Sequence, residues 1–154
     1  MIIIYTDGAS KGNPGRGGYG VVMLSPSYNL RKELAAGYRL TTNNRMELLA
    51  VIVGLETLKI PNSEVIIYSD SAYVVNSVEK GWLWAWVKKG FAGKKNEDLW
   101  RRFIPAYKQH KVKLQWIKGH SNIPENERCD KLSVDAANGT NLLIDEGYEN
   151  GLGE

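Results

Sequence analysis

Glu64-Val65-Ile66-Ile67-Tyr68-Ser69-Asp70 is the stretch that decides the fold. Its apolar run has little polar alternation, and a strand of that kind lies centrally in a sheet, covered on both faces. It closes on an acid. A second run, Ile2-Ile3-Ile4-Tyr5-Thr6-Asp7, closes on an acid in the same way. If the two strands are neighbours, both carboxylates lie at one edge of the sheet.

Working outward, residues 2–6, 18–24 and 31–40 read as three strands. Gly8 to Gly20, rich in glycine and carrying Asn13-Pro14-Gly15, reads as the first connection, and Ser25-Pro26-Ser27-Tyr28-Asn29 as the second. Connections this short favour antiparallel neighbours. Apolar spacing from Arg45 to Leu58 predicts a helix stopped by Ile60-Pro61-Asn62. After the strand at 64–69, Ser71 to Lys80 reads as a helix ended by Gly81. Trp82 to Trp86 fits either period and is taken as a short helix. Asn96 is placed to cap a helix running toward Gln109, with Glu97 and Asp98 in its first turn and a kink or restart at Pro105. Val112 to Ile117 is the fifth strand, and a last helix runs from Pro124 to Asn138. Three hairpin-linked strands plus two reached by helical crossovers make an α/β fold with a mixed five-stranded sheet and helices packed on it.

The chain has 154 residues, enough for one domain with a real core. Residues 1–139 form that domain. Residues 140–154 form an acidic tail, either partly disordered or docked through Leu142-Leu143-Ile144. No apolar run approaches the ~20 residues of a membrane span. The lone Cys129 rules out an internal disulfide and suits a reducing compartment, so a cytoplasmic protein is expected. The net charge of +3 hides an asymmetry, because the tail holds four acids and no base. The remaining body carries 20 basic residues against 13 acidic ones, which points to a polyanionic partner such as nucleic acid.

Four acids are candidates for chemistry: Asp7, Glu47, Asp70 and Asp130. Each has an ordinary alternative. Asp7-Gly8 is a turn element, Glu47 fits the third position of a capping box behind Asn44, Asp70 could cap a helix, and Asp130 could be a solvated helix residue. As a cluster they would repel and raise one another's pKa, which cations relieve. All-oxygen ligands select a hard ion such as Mg2+. Two such ions ~4 Å apart support phosphodiester hydrolysis. His120, in Lys118-Gly119-His120-Ser121-Asn122, suits a proton shuttle or product release better than metal ligation, having no second His or Cys at ligand spacing. His110 needs no more than a helix end to explain it.

Six strings in order carry a resemblance: Tyr5-Thr6-Asp7-Gly8, Gly12-Asn13-Pro14-Gly15, Thr41-Thr42-Asn43-Asn44-Arg45-Met46-Glu47-Leu48, Tyr68-Ser69-Asp70-Ser71, Trp116-Ile117-Lys118-Gly119-His120 and Pro124-Glu125-Asn126-Glu127-Arg128-Cys129-Asp130. Together they resemble type 1 ribonuclease H, close to the bacterial enzymes, over about Ile2 to Ala137. The resemblance implies the ribonuclease H-like fold and cleavage of the RNA strand of RNA–DNA hybrids, leaving 5′-phosphate and 3′-hydroxyl ends. It implies a monomer using two Mg2+ ions, with Mn2+ as a substitute. Asp7, Glu47, Asp70 and Asp130 would be the metal ligands and His120 the mobile histidine. Asn13, Asn43 and Asn44 would lie along the RNA minor groove, where an amide can read a 2′-hydroxyl. Thr42 and Asn96 would hold a DNA-strand phosphate. Trp82 would stack beside a DNA sugar, with Tyr73 near it. Lys88, Lys89, Lys94 and Lys95 would grip the backbone from a basic protrusion spanning Gly81 to Lys95. Of the tryptophans, Trp86 and Trp100 are expected in the core and Trp82 at least partly exposed.

The chain departs from the family pattern in three places. Ala72 replaces a longer side chain that touches nucleic acid in many relatives. The segment between Phe91 and Asn96 is short. The acidic tail lies outside the pattern, and its charge suggests weak competition with substrate for the basic protrusion. Rival readings are a hybrid-binding domain without activity, against which all four acids are retained, and another nuclease of the wider fold, against which stand the asparagine loop and the protrusion.

Overall fold

The computed structural model describes residues 1–151. Five strands, β1 (Ile2–Lys11), β2 (Gly15–Ser25), β3 (Leu30–Thr41), β4 (Glu64–Ser69) and β5 (Lys111–Trp116), form one sheet in the order β3-β2-β1-β4-β5. β1 pairs antiparallel with β2 and β2 with β3, while β4 runs parallel to both β1 and β5. The mixed sheet expected from the sequence is therefore present. Six helices complete the described chain: α1 (Asn43–Thr57), α2 (Ala72–Glu79), α3 (Trp82–Lys88), α4 (Glu97–Lys108), α5 (Pro124–Ala137) and the short α6 (Glu146–Glu149). Among the described residues no helix is long and apolar enough to cross a membrane.

Several boundaries differ from the sequence reading, for physical reasons. Gly8 to Gly20 is mostly ladder rather than loop: β1 continues to Lys11 and β2 begins at Gly15, so only a tight turn lies between. The glycines mark close packing. A Cβ on Gly20 would stand 2.4 Å from the carbonyl oxygen of Cys129, so the bare backbone there lets α5 lie against the sheet. α1 packs on the opposite face, with Gly54 against Ile4 and Val21. It is buried nearly all round, because β1, β2 and α4 enclose it. β4 is interior, yet its burial alternates: Val65, Ile67 and Ser69 are buried, Ile66 and Tyr68 only partly. α4 runs through Pro105 as one element, its inner face held by Trp100 and Phe103, both fully buried. As expected, Trp86 packs against the core and Trp82 is exposed.

Residues 140–151 lie on the body. Leu143 bridges to Tyr38 at the free edge of β3, with its N–H donating to the Gly37 carbonyl at 2.8 Å and its own carbonyl accepting from Arg39 N–H at 2.9 Å. Arg39 holds Glu149 through two bonds of 2.9 and 2.7 Å. Asp145 pairs with Arg45 at 2.8 Å. These two acids engage β3 and α1 rather than the protrusion, which overturns the expected competition with substrate as far as they are concerned; Glu154 falls outside the described residues.

Candidate active site

Parallel pairing in register sets Thr6 opposite Ser69, so the next residues, Asp7 and Asp70, arrive together. Tyr5 and Tyr68 stack two residues earlier, with ring centroids 5.0 Å apart. Asp7 sits inside β1 rather than at its end, and its Oδ1 accepts from Gly8 N–H at 2.9 Å. Glu47 arrives from α1. That approach requires Gly8, since a Cβ there would lie 2.4 Å from the Glu47 backbone nitrogen. Asp7, Glu47 and Asp70 each offer an oxygen within 4.8 Å of the others.

Two of the ordinary alternatives fail here. The N-cap of α1 is Thr42, not Asn44: its Oγ1 accepts from Arg45 N–H at 3.3 Å. Glu47 is thus past the first turn and takes no part in a capping box. The N-cap of α2 is Ser71, whose Oγ accepts from Val74 N–H at 3.2 Å, so Asp70 is not spent on capping. Asp70 is held instead through its carbonyl, which accepts from Trp116 Nε1 at 3.1 Å.

Asp7 and Glu47 are buried, and burial is the main cause of their raised pKa values. Asp7 is pushed up to about 8 by desolvation and then by the charge of Asp70, against the Gly8 hydrogen bond. Glu47 is raised well above the ordinary range by desolvation and by Asp7 and Asp70. Its Oε1 is buried without a partner. Buried carboxylates that ionise only at a cost, one of them with an orphaned oxygen, fit a hard divalent cation. Asp130, half-buried on α5, lies outside the three-carboxylate group but near enough for its charge to raise Asp7. Cys129, beside it, donates from Sγ to the Tyr5 carbonyl and is held far above its usual pKa by burial, so it packs rather than reacts.

His120 is exposed in the turn after β5, at φ 55°. That turn passes the cluster: a Cβ on its neighbour Gly119 would stand 2.9 Å from Asp70 Oδ2. On the other side, Asn13 Oδ1 accepts from Asn43 N–H at 3.0 Å, joining the β1–β2 turn to the start of α1. Asn13 and Asn43 are exposed and Asn44 half-buried. Thr42 and Asn96 are buried. Asn96 begins α4 without capping it through its side chain, contrary to expectation; its Nδ2 donates to Tyr73 Oη at 3.1 Å, which also accepts from Trp100 Nε1 at 2.9 Å. Tyr73 therefore belongs with Asn96. Lys80 lies 5.5 Å over the exposed Trp82 ring, and Lys94 5.4 Å over Trp86, while Lys88, Lys89 and Lys95 are exposed.

Sequence reasoning passed over Arg45, fully buried beneath Thr42 and Asn96. One signal was available. A cation in the first turn of a helix opposes the helix dipole and needs acids close by.

A family model described as RNase H matches residues 1–138. A ribonuclease H of Desulforamulus reducens is 56% identical over 149 residues, covering 94% of this chain and 92% of the relative. One from Rippkaea orientalis is 50% identical over 154 residues, covering 97% and 93%. Among solved structures, LC9-RNase H1, a type 1 RNase H with the type 2 active-site motif, superposes with a TM-score of 0.78 at 30% identity, covering 97% of this chain and 79% of that one. LC11-RNase H1, solved in complex with an RNA/DNA hybrid, gives a TM-score of 0.66 at 28% identity, covering 90% and 97%.

Proposed function

The chain belongs to the ribonuclease H family and is a ribonuclease H, cleaving RNA in RNA–DNA hybrids; from that premise we propose how its own residues carry out the reaction. Asp7, Glu47, Asp70 and Asp130 would hold two Mg2+ ions, with Mn2+ able to substitute. The observation that carries this is the buried meeting of three carboxylates around Glu47, with one oxygen lacking a partner. Bound there, divalent ions would supply activation of the attacking water and stabilisation of the leaving oxygen. The products are a 5′-phosphate and a 3′-hydroxyl.

The protein's own groups bind, orient and move protons. Glu47 is held by its helix and Asp7 by its strand, so neither reorganises as charge develops. His120 stands exposed beside the cluster and carries a proton on its imidazole between site and solvent. Asn13, Asn43 and Asn44 face the RNA strand, where amide groups meet 2′-hydroxyls. Thr42 and Asn96, supported by Tyr73, hold a DNA phosphate. Trp82 stacks beside a deoxyribose, and Lys88, Lys89, Lys94 and Lys95 add backbone contacts without sequence information. The protein acts as a monomer in the cytoplasm.

Purified protein with Mg2+ should cut the RNA of a hybrid and spare duplex DNA and single-stranded RNA. Equal cutting of all three would refute the assignment of strand-sensing residues.

A further inference from the structure

Arg45 has no exposed surface, and its guanidinium meets five acceptor contacts. Nε and Nη2 donate to Asp145 at 2.8 Å each, Nη1 and Nη2 donate to Asp98 at 2.8 and 2.7 Å, and Nη1 donates to Asn96 Oδ1 at 3.3 Å. An arginine has five N–H donors, so this set is complete. Asp98 comes from the first turn of α4 and Asp145 from the tail, which is also gripped by Thr41 Oγ1, donating to Asp145 Oδ2 at 2.7 Å. Thr41 directly precedes Thr42.

The two ends of this network differ in kind. Asp98 and Asp145 neutralise the cation. The bond to Asn96 neutralises nothing, but it fixes which way the amide faces. With Oδ1 turned to Arg45, Nδ2 points to the Tyr73 side. Asn96 itself sits at φ 64° and does not cap its helix with its side chain.

We infer that the tail residue Asp145 is a positioning residue for hybrid binding: by completing the shell of Arg45, it orients Asn96 and steadies Thr42 as the grip on a backbone phosphate. The acidic tail thereby supports substrate binding from behind the site. The inference rests on Thr42 and Asn96 holding a phosphate.

Steady-state kinetics on the full chain test it. Asp145→Ala should raise KM for a hybrid about tenfold, the scale of one charge-assisted contact, while kcat stays within about twofold. The slope of log KM against log salt should stay that of the wild type, because Thr42 and Asn96 are neutral and their contact releases no counterion. Asn96→Ala should show the same changes, and the double variant should lose less than the two single losses combined. Arg39→Ala, which frees Glu149 but leaves Asp145 in place, should leave KM unchanged. Should Asp145→Ala fail to fold, Asp145→Asn, which keeps one acceptor oxygen and the side-chain shape, is judged by the same measures. Wild-type KM in the Asp145 variant, whatever its melting temperature, would overturn the inference, as would additive losses in the double variant. If Asn96→Ala leaves KM unchanged, the phosphate reading has failed, and the inference falls with it.

Discussion

Two buried charge clusters stand two residues apart on α1, and they are opposites. Arg45 faces two carboxylates and an amide, with a contact for every donor. Glu47 faces two more carboxylates and leaves one oxygen without a partner. Both side chains are withdrawn from water to a similar degree. A balanced set joins parts of the chain that are far apart in sequence. An unbalanced set is tolerable only if something from outside supplies the missing charge. Within one helix turn, completeness marks structure and deficit marks chemistry.

The sharpest way to break this contrast is Asp7→Asn. It should reduce hybrid cleavage to background in Mg2+ while leaving the circular-dichroism spectrum intact. Near-full activity would remove Asp7 from the metal set.

The next largest effect is the pH dependence of metal-free stability. Asp7 is pushed up to about 8 in the folded protein, whereas an unfolded aspartate titrates near 4. Between those values the folded state binds more protons than the unfolded one, so stability falls as pH rises. The loss is about 1.4 kcal/mol per pH unit for one such group, diminished by any metal bound. Urea titrations from pH 4 to 8 in chelator should show the decline, and millimolar Mg2+ should flatten it. A flat chelator profile would mean that the acid cluster is not costly.

At the balanced end, Arg45→Met should cost about 3 kcal/mol, because it strands two carboxylates against a buried apolar side chain. Part of that loss is softened by the partial exposure of Asp98, at 24%. Denaturant midpoints measure it, and a change below about 1 kcal/mol would make the network no better than a surface pair. His120→Ala should lower kcat about a hundredfold or less without abolishing it or altering stability. An unchanged rate would exclude His120 from the reaction. The smallest effect is Thr42→Ala, which removes the α1 cap and should cost about 1 kcal/mol, together with a rise in KM.

The two clusters also differ in how legible they were. Asp7 and Asp70 stand out because each closes an apolar strand, a local pattern. Glu47 was visible but its alternative was misassigned, since by composition Asn44 is a better capping residue than Thr42, the actual cap. The glycines between Gly8 and Gly20 looked like a loop, because glycine serves both turns and close packing, and only the helix lying on Gly20 separates the two. Arg45 and Asp145 are 100 positions apart, so no local pattern joins them.

The sequence by itself determined the five strands and the five longer helices, though not their bounds, and the family, and it marked four acids as candidates. Those rest on periodicity, turn chemistry and motifs, which act over a few residues. Only the tertiary structure decided that Asp7, Glu47 and Asp70 meet within 4.8 Å, that burial raises two of them, and that the tail locks onto Arg45. Distance and desolvation belong to the packed chain, because they arise only when segments far apart in sequence exclude water from the same place.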